Sequence, residues 1–212
     1  MSTVSSVTCP KCGFVSWKST TCRRCAGSLA DAQTFVFQPP ALAGSEGVPL
    51  YFAVSPLKLA VLSLCTMGLY DYYWFYQHWK IIKRNERSDI RPFWRAFFCI
   101  FYMRSLFTSI KDTAALYGVP ADYKPWALTA TFWGLNFCAR FGSAGWLLAL
   151  FSFYPLTVAQ GVANQINAQV APDHDRNDRF TVGNIVAIIL GGLLLALALL
   201  GTFMELTGTA TR

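Results

Sequence analysis

The sequence predicts an all-α polytopic membrane protein with re-entrant or interfacial helices, preceded by a small zinc ribbon of the β-knuckle type. Three observations carry that fold class. Cys9, Cys12, Cys22 and Cys25 form two C-x2-C pairs at the start of the chain. Of the 212 residues, 54% are hydrophobic and only 14% charged, against about 25% charged in an ordinary soluble domain. The segment Gly183 to Met204 contains no charged residue at all.

The first element is the cysteine module. Nine residues separate the two C-x2-C loops, a spacing that lets four thiolates converge on one tetrahedral ion. Pro10 stiffens the first loop, and Gly13 and Gly27 supply open backbone for the turns. The expected ligand is Zn2+; a rubredoxin-type iron site has the same donor set. Residues 1 to 8 show neither a basic start nor an apolar run, so a signal peptide, and with it a disulfide framework, is not expected. The thiolates then belong in the cytosol. A module this small needs its metal to fold. It is either a passive folded knob or a docking module. Lys11, Phe14, Trp17, Lys18, Arg23 and Arg24 interleave base and aromatic, a pattern that also holds single-stranded nucleic acid. The patch is very small and lies on a membrane protein, so nucleic acid ranks behind a protein partner and lipid headgroups.

Residues 29–50 follow, rich in Pro, Gly and Ser and without sustained periodicity, and read as a tether between a 1–28 ribbon and a 51–206 membrane domain with a short 207–212 tail. Leu57 to Leu69 is apolar apart from Lys58, Ser63 and Thr66, and it meets Gly68 before an aromatic run from Tyr70 to Trp79 that suits the headgroup boundary. Lys80, Lys83, Arg84, Arg87, Arg91 and Arg95 come next. If Leu59 to Trp79 crossed from a cytosolic amino terminus, these six cations would lie outside, against the positive-inside rule. A re-entrant half-helix that turns near Gly68 resolves the conflict. Pro92 to Ile110 has an uninterrupted apolar stretch only from Ala96 to Met103 and is expected to reach part-way through the bilayer. Pro125 to Ala139 and Ala144 to Gln160 form a marginal hairpin about the turn at Arg140 to Ser143. Gly183 to Met204 rises about 33 Å and spans, with Gly191, Gly192 and Gly201 as packing surface.

The strings YFAVSPLKLAVLSLCTMGLYDYYWFYQHWKIIKR, RPFWRAFF, VAQGVANQIN and RFTVGNIVAIILGG resemble an uncharacterised family of bacterial integral membrane proteins, a domain of unknown function often found behind a short zinc ribbon. The resemblance covers nearly all of residues 51–204. It implies the membrane fold and no reaction; with the thiolates placed in the cytosol, the expected location is a bacterial inner membrane with the ribbon on its cytosolic face. Asp71 stands where that family commonly has Glu, and His78 where it commonly has Asn.

Three polar groupings remain. Asp71, Arg95 and Arg104 flank apolar segments and are expected to offer an intramembrane ion pair, read as a packing clamp ahead of an ion or proton relay. Gln160, Asn164 and Asn167 fall at i, i+4 and i+7 and share one face if their helix continues past Gly161. That stripe is either a headgroup- or peptide-binding face or the wet end of an emerging helix. Asp173, His174, Asp175 and Asp178 suggest a divalent cation, but Arg176 and Arg179 are interleaved, which favours a solvated linker. Cys65, Cys99 and Cys138 have no partner spacing. No G-x-S-x-G, P-loop or H-E-x-x-H motif is present. The expected function is therefore a non-enzymatic membrane adaptor or organising protein that contacts the bilayer and a cytosolic protein, with self-association compatible. A small transporter or channel component is the second reading, and an enzyme on lipid or envelope precursors the third.

Overall fold

A computed structural model describes the strand residues 5–8, 15–17 and 34–36, and residues 47–208 except 87 and 143. It divides the chain into two units, 1–44 and 45–212. In the first, β1 (Ser5–Thr8) lies centrally between β2 (Val15–Trp17) and β3 (Thr34–Val36). Both pairings are antiparallel, with Ser6 opposite Trp17 and Phe35. Cys9, Cys12, Cys22 and Cys25, expected to hold a zinc ion, lie outside the described residues. β3 falls inside the stretch expected to be a tether, so regular structure runs further along the chain than the cysteine spacing implies.

The second unit is helical: α1 (Pro56–Cys65), α2 (Leu69–Glu86), α3 (Pro92–Phe97), α4 (Cys99–Leu116), α5 (Pro125–Cys138), α6 (Trp146–Ala149), α7 (Phe153–Val170) and α8 (Val182–Leu206). α1, α3 and α5 each start on Pro at N1 or N2, where the missing N–H costs nothing. Ser55 caps α1 by accepting from the Lys58 amide, and Thr181 and Asn184 form a reciprocal capping box on α8. The core is built by α1, α2, α4 and α7. Met103, Leu106, Phe107, Ile110 and Ala114 form the inward stripe of α4 and, with Leu59, Leu62, Trp74, Phe75, Leu156 and Ile166, are fully buried.

α1 ends where Met67 and Gly68 both take positive φ, 50° and 86°. Gly68 adopts that region freely; Met67 does so at a cost, so the break is held by its surroundings. The segment expected over Pro92 to Ile110 is instead two helices broken at Phe98, and the second continues to Leu116. α3 presents Phe93, Trp94 and Phe97 outward.

Among the described residues, two stretches are long and apolar enough to cross a membrane: Trp146–Val170, which joins α6, a short 3-10 turn and α7, and Val182–Leu206. No residue of α8 is buried, as a helix facing lipid on most sides requires. The hairpin expected over 125–160 is uneven. α5 has only 14 residues, about 21 Å, while the second arm runs on to Val170. Of the three small packing residues on α8, Gly191 is the one in use: a Cβ there would collide with the Cys65 carbonyl oxygen at the end of α1, whereas Gly192 and Gly201 meet nothing.

Candidate functional site

α7 continues past Gly161, so Gln160, Asn164 and Asn167 do share one face. That face is not a wet end. Gln160 and Asn167 are fully buried, and the stripe lies against the extended residues 50–54, where the chain enters the helical unit. Asn167 Oδ1 accepts from both the Leu50 and Tyr51 amides at 3.0 Å, and its Nδ2 donates to the Tyr51 carbonyl at 2.9 Å. Gln160 Nε2 donates to the Phe52 carbonyl at 2.8 Å, and Asn164 Nδ2 to the Val54 carbonyl at 2.8 Å.

Two side chains from elsewhere complete the pattern. Asn85, near the end of α2, donates to the Leu50 carbonyl at 3.3 Å, and Asn177, in the loop before α8, to the Ala53 carbonyl at 3.0 Å. Five consecutive carbonyls, Leu50 to Val54, are thus each met by a different side-chain amide. A buried extended segment must satisfy its backbone, and a neighbouring strand normally does so. Among the described residues no strand is adjacent, and side-chain amides take its place. Tyr51 adds an outward anchor, its hydroxyl 2.7 Å from Thr113 Oγ1 and 3.0 Å from the Ser109 carbonyl on α4.

Gln160 is the hub. Its Oε1 accepts from Trp74 Nε1 at 2.6 Å and pairs with His78 Nε2 at 3.1 Å; its Nε2 also donates to Asn164 Oδ1 at 2.7 Å. An amide oxygen only accepts, so His78 must carry its proton on Nε2. Nδ1 then holds a bare lone pair, and it has no partner. The Trp74, Tyr51 and Phe52 rings enclose the imidazole, with the Trp74 centroid 4.2 Å away. Burial pushes its pKa down to about 3, against the opposing Gln160 hydrogen bond.

Lys58, the one cation in the α1 sequence, is also buried. Its Nζ donates to Asn177 Oδ1 at 2.8 Å and to the Arg179 carbonyl at 2.6 Å, and this pins the 171–181 loop over the start of α1. The loop is therefore not a free solvated linker, and among the described residues no cluster of His, Cys, Asp or Glu has the makings of a metal site.

The expected charge grouping does not assemble. Asp71 is buried in the first turn of α2, and its Oδ1 accepts from Ser63 Oγ at 2.5 Å. Arg95 lies over the Trp79 ring at 4.4 Å and the Tyr102 ring at 5.2 Å, and Arg104 is exposed on α4. Asp71 thus has a hydroxyl partner in place of the expected arginine, because Arg95 and Arg104 leave the core on faces of α3 and α4 that carry aromatics and solvent-reachable polar groups. Tyr51, Lys58, Trp74, His78, Asn85 and Asn177 belong to this site although no motif or shared periodicity in the sequence joins them to it. Lys58 in an otherwise apolar run was the clearest available signal.

The fold and site together define a helical protein with two apolar helices of membrane-crossing length and a polar grip on its own entry segment. No protein-family model, curated protein or solved structure matches the chain.

Proposed function

We propose that the protein is a non-enzymatic membrane adaptor: the helical unit anchors in a bacterial inner membrane and the amino-terminal unit, a cytosolic zinc ribbon held by Cys9, Cys12, Cys22 and Cys25, docks a protein partner or the leaflet. The observation that carries this reading is the amide grip on residues 50–54. The chain leaving the first unit is fixed at its point of entry by side chains from α2, α7 and the 171–181 loop. A tether of that kind suits a protein whose two units must stay mechanically connected.

In this reading α1 and α2 form a hairpin that enters one leaflet and returns. α1 is 10 residues long, about 15 Å against a core of about 30 Å, and α2 carries Lys83 and Arg84 in its last turn. α3, with its outward Phe93, Trp94 and Phe97, lies along the headgroups. A transport component would favour a continuous charged path through Asp71, Arg95 and Arg104; these three side chains are not in contact.

Complementation of a deletion strain tests the adaptor reading. The full chain is expected to restore the wild-type phenotype, and a chain beginning at Ser45 to insert in the membrane without restoring it. Full restoration by residues 45–212 would refute the adaptor role. Single-cysteine labelling near Asn85 tests the hairpin separately: protection on the same side as the amino terminus supports it, and exposure on the far side refutes it.

A further inference from the structure

Beside the α1–α2 break lies a cavity of about 380 Å³, within the range of small-molecule sites. Met67, Gly68 and Asp71 form one side of it; Phe132 of α5 and Trp146 of α6 form another. Asp71 is 4% exposed. Its Oδ1 is taken by Ser63, and its Oδ2 lies by Gly68, where an added Cβ would come within 3.7 Å of it. No Lys, Arg or His lines the cavity. The first turn of α2 offers Asp71 only a fraction of a positive charge.

We propose that this cavity binds a small organic ammonium ion, with Asp71 as the counter-charge and Tyr72, Phe132 and Trp146 as aromatic walls. A buried carboxylate without a counter-ion is costly, and an alkylammonium is the charge type that both a carboxylate and ring faces stabilise. Trp146 is held for that role by its Nε1, which donates to Thr202 Oγ1 on α8 at 3.0 Å. A hard divalent cation fits poorly. It needs six or more oxygens at close range, and Asp71 is the single carboxylate in the lining. An ammonium group reaches the site either as a free amine or as the headgroup of an aminophospholipid.

The test uses the purified full chain in a non-ionic detergent and an amine-free buffer. Tetramethylammonium and ethylammonium chloride are titrated against sodium chloride at matched ionic strength, with the thermal unfolding midpoint as readout. A saturable upward shift with the ammonium salts alone is expected. Asp71→Asn, which keeps the acceptor for Ser63, should weaken binding at least tenfold. Ala149→Trp should abolish it by filling the cavity without touching Asp71, and this second variant decides the matter if the first does not fold. Parallel nanodiscs of phosphatidylglycerol with and without phosphatidylethanolamine separate the sources. Loss of the soluble-ion response in the phosphatidylethanolamine discs identifies a headgroup, and its persistence identifies a free amine. An equal response to sodium, no saturable response, or unchanged binding in both variants overturns the proposal.

Discussion

Gln160→Met tests the amide hub directly, because Met nearly preserves the volume while removing every hydrogen bond. Four are lost: from Trp74 Nε1, from His78 Nε2, to the Phe52 carbonyl and to Asn164 Oδ1. Asn164 is only partly buried and can recruit water, but Trp74 and His78 are fully buried. Orphaning a buried donor or acceptor costs about 1–3 kcal/mol. The two orphaned donors, Trp74 Nε1 and His78 Nε2, set the expected loss at about 2–6 kcal/mol, a large share of the roughly 5–15 kcal/mol that holds a domain together. Tryptophan fluorescence during thermal or denaturant unfolding in detergent measures that loss. The assignment to orphaned groups is checked by adding Trp74→Phe, which removes one orphan. The double variant should then lose less than the two single variants summed, by about 1 kcal/mol or more. A Gln160→Met protein within about 1 kcal/mol of wild type, or a strictly additive double variant, would refute the hub.

Three further outcomes are expected. His78 lies on α2, outside the two apolar spans, and its pKa falls from 6.5 to about 3 on folding; its contribution is complete above pH 6.5 and is lost as pH falls through that window, because the unfolded chain takes up the proton first. At pH 4.5 the loss is on the order of 2–3 kcal/mol, so the stability of His78→Asn should fall less steeply than wild type between pH 7.5 and 4.5, and identical slopes would count against a buried neutral imidazole. Gly191→Leu, pressed against the Cys65 carbonyl, should lower the unfolding midpoint by about 1–3 kcal/mol equivalents, whereas Gly192→Leu, which faces open space, should stay within about 0.5 kcal/mol; equal effects would mean that α8 does not rest on α1 there. On the zinc ribbon proposed above, Cys12→Ser is expected to release a bound zinc ion and unfold residues 9–27 while the helical circular dichroism persists, and stoichiometric zinc retained by the purified variant would contradict the four-thiolate proposal.

Local chemistry in the sequence marks the helix starts and the break. Pro56, Pro92 and Pro125 fall in the first turns of their helices, and Gly68 is where the chain turns. The periodic placing of Gln160, Asn164 and Asn167 is equally legible. What periodicity does not reveal is the partner. The same three amides would share a face if they met water, headgroup or peptide. What they do meet is a backbone segment 108–117 residues away, and an acceptor on a main-chain carbonyl leaves no trace in side-chain identity. The expected Asp71 clamp shows the same gap. Opposite charges at the edges of apolar segments suggest a pair, but α3 and α4 direct Arg95 and Arg104 elsewhere, and the partner is Ser63, eight residues before Asp71 on the preceding helix.

That long-range partnership also bears on assembly. Residues 50–54 leave synthesis before any helix of their unit, yet three of the five amides that hold them belong to α7 and a fourth to the loop beyond it. Until α7 is in place, only Asn85 can donate to this segment, and the remaining carbonyls have to stay hydrated. The segment can therefore become buried only after α7 has arrived, and the entry point of the chain is among the last parts of the helical unit to be sealed. The stretch Trp146–Val170, long and apolar enough to cross a membrane, therefore also carries the face of α7 that grips residues 50–54.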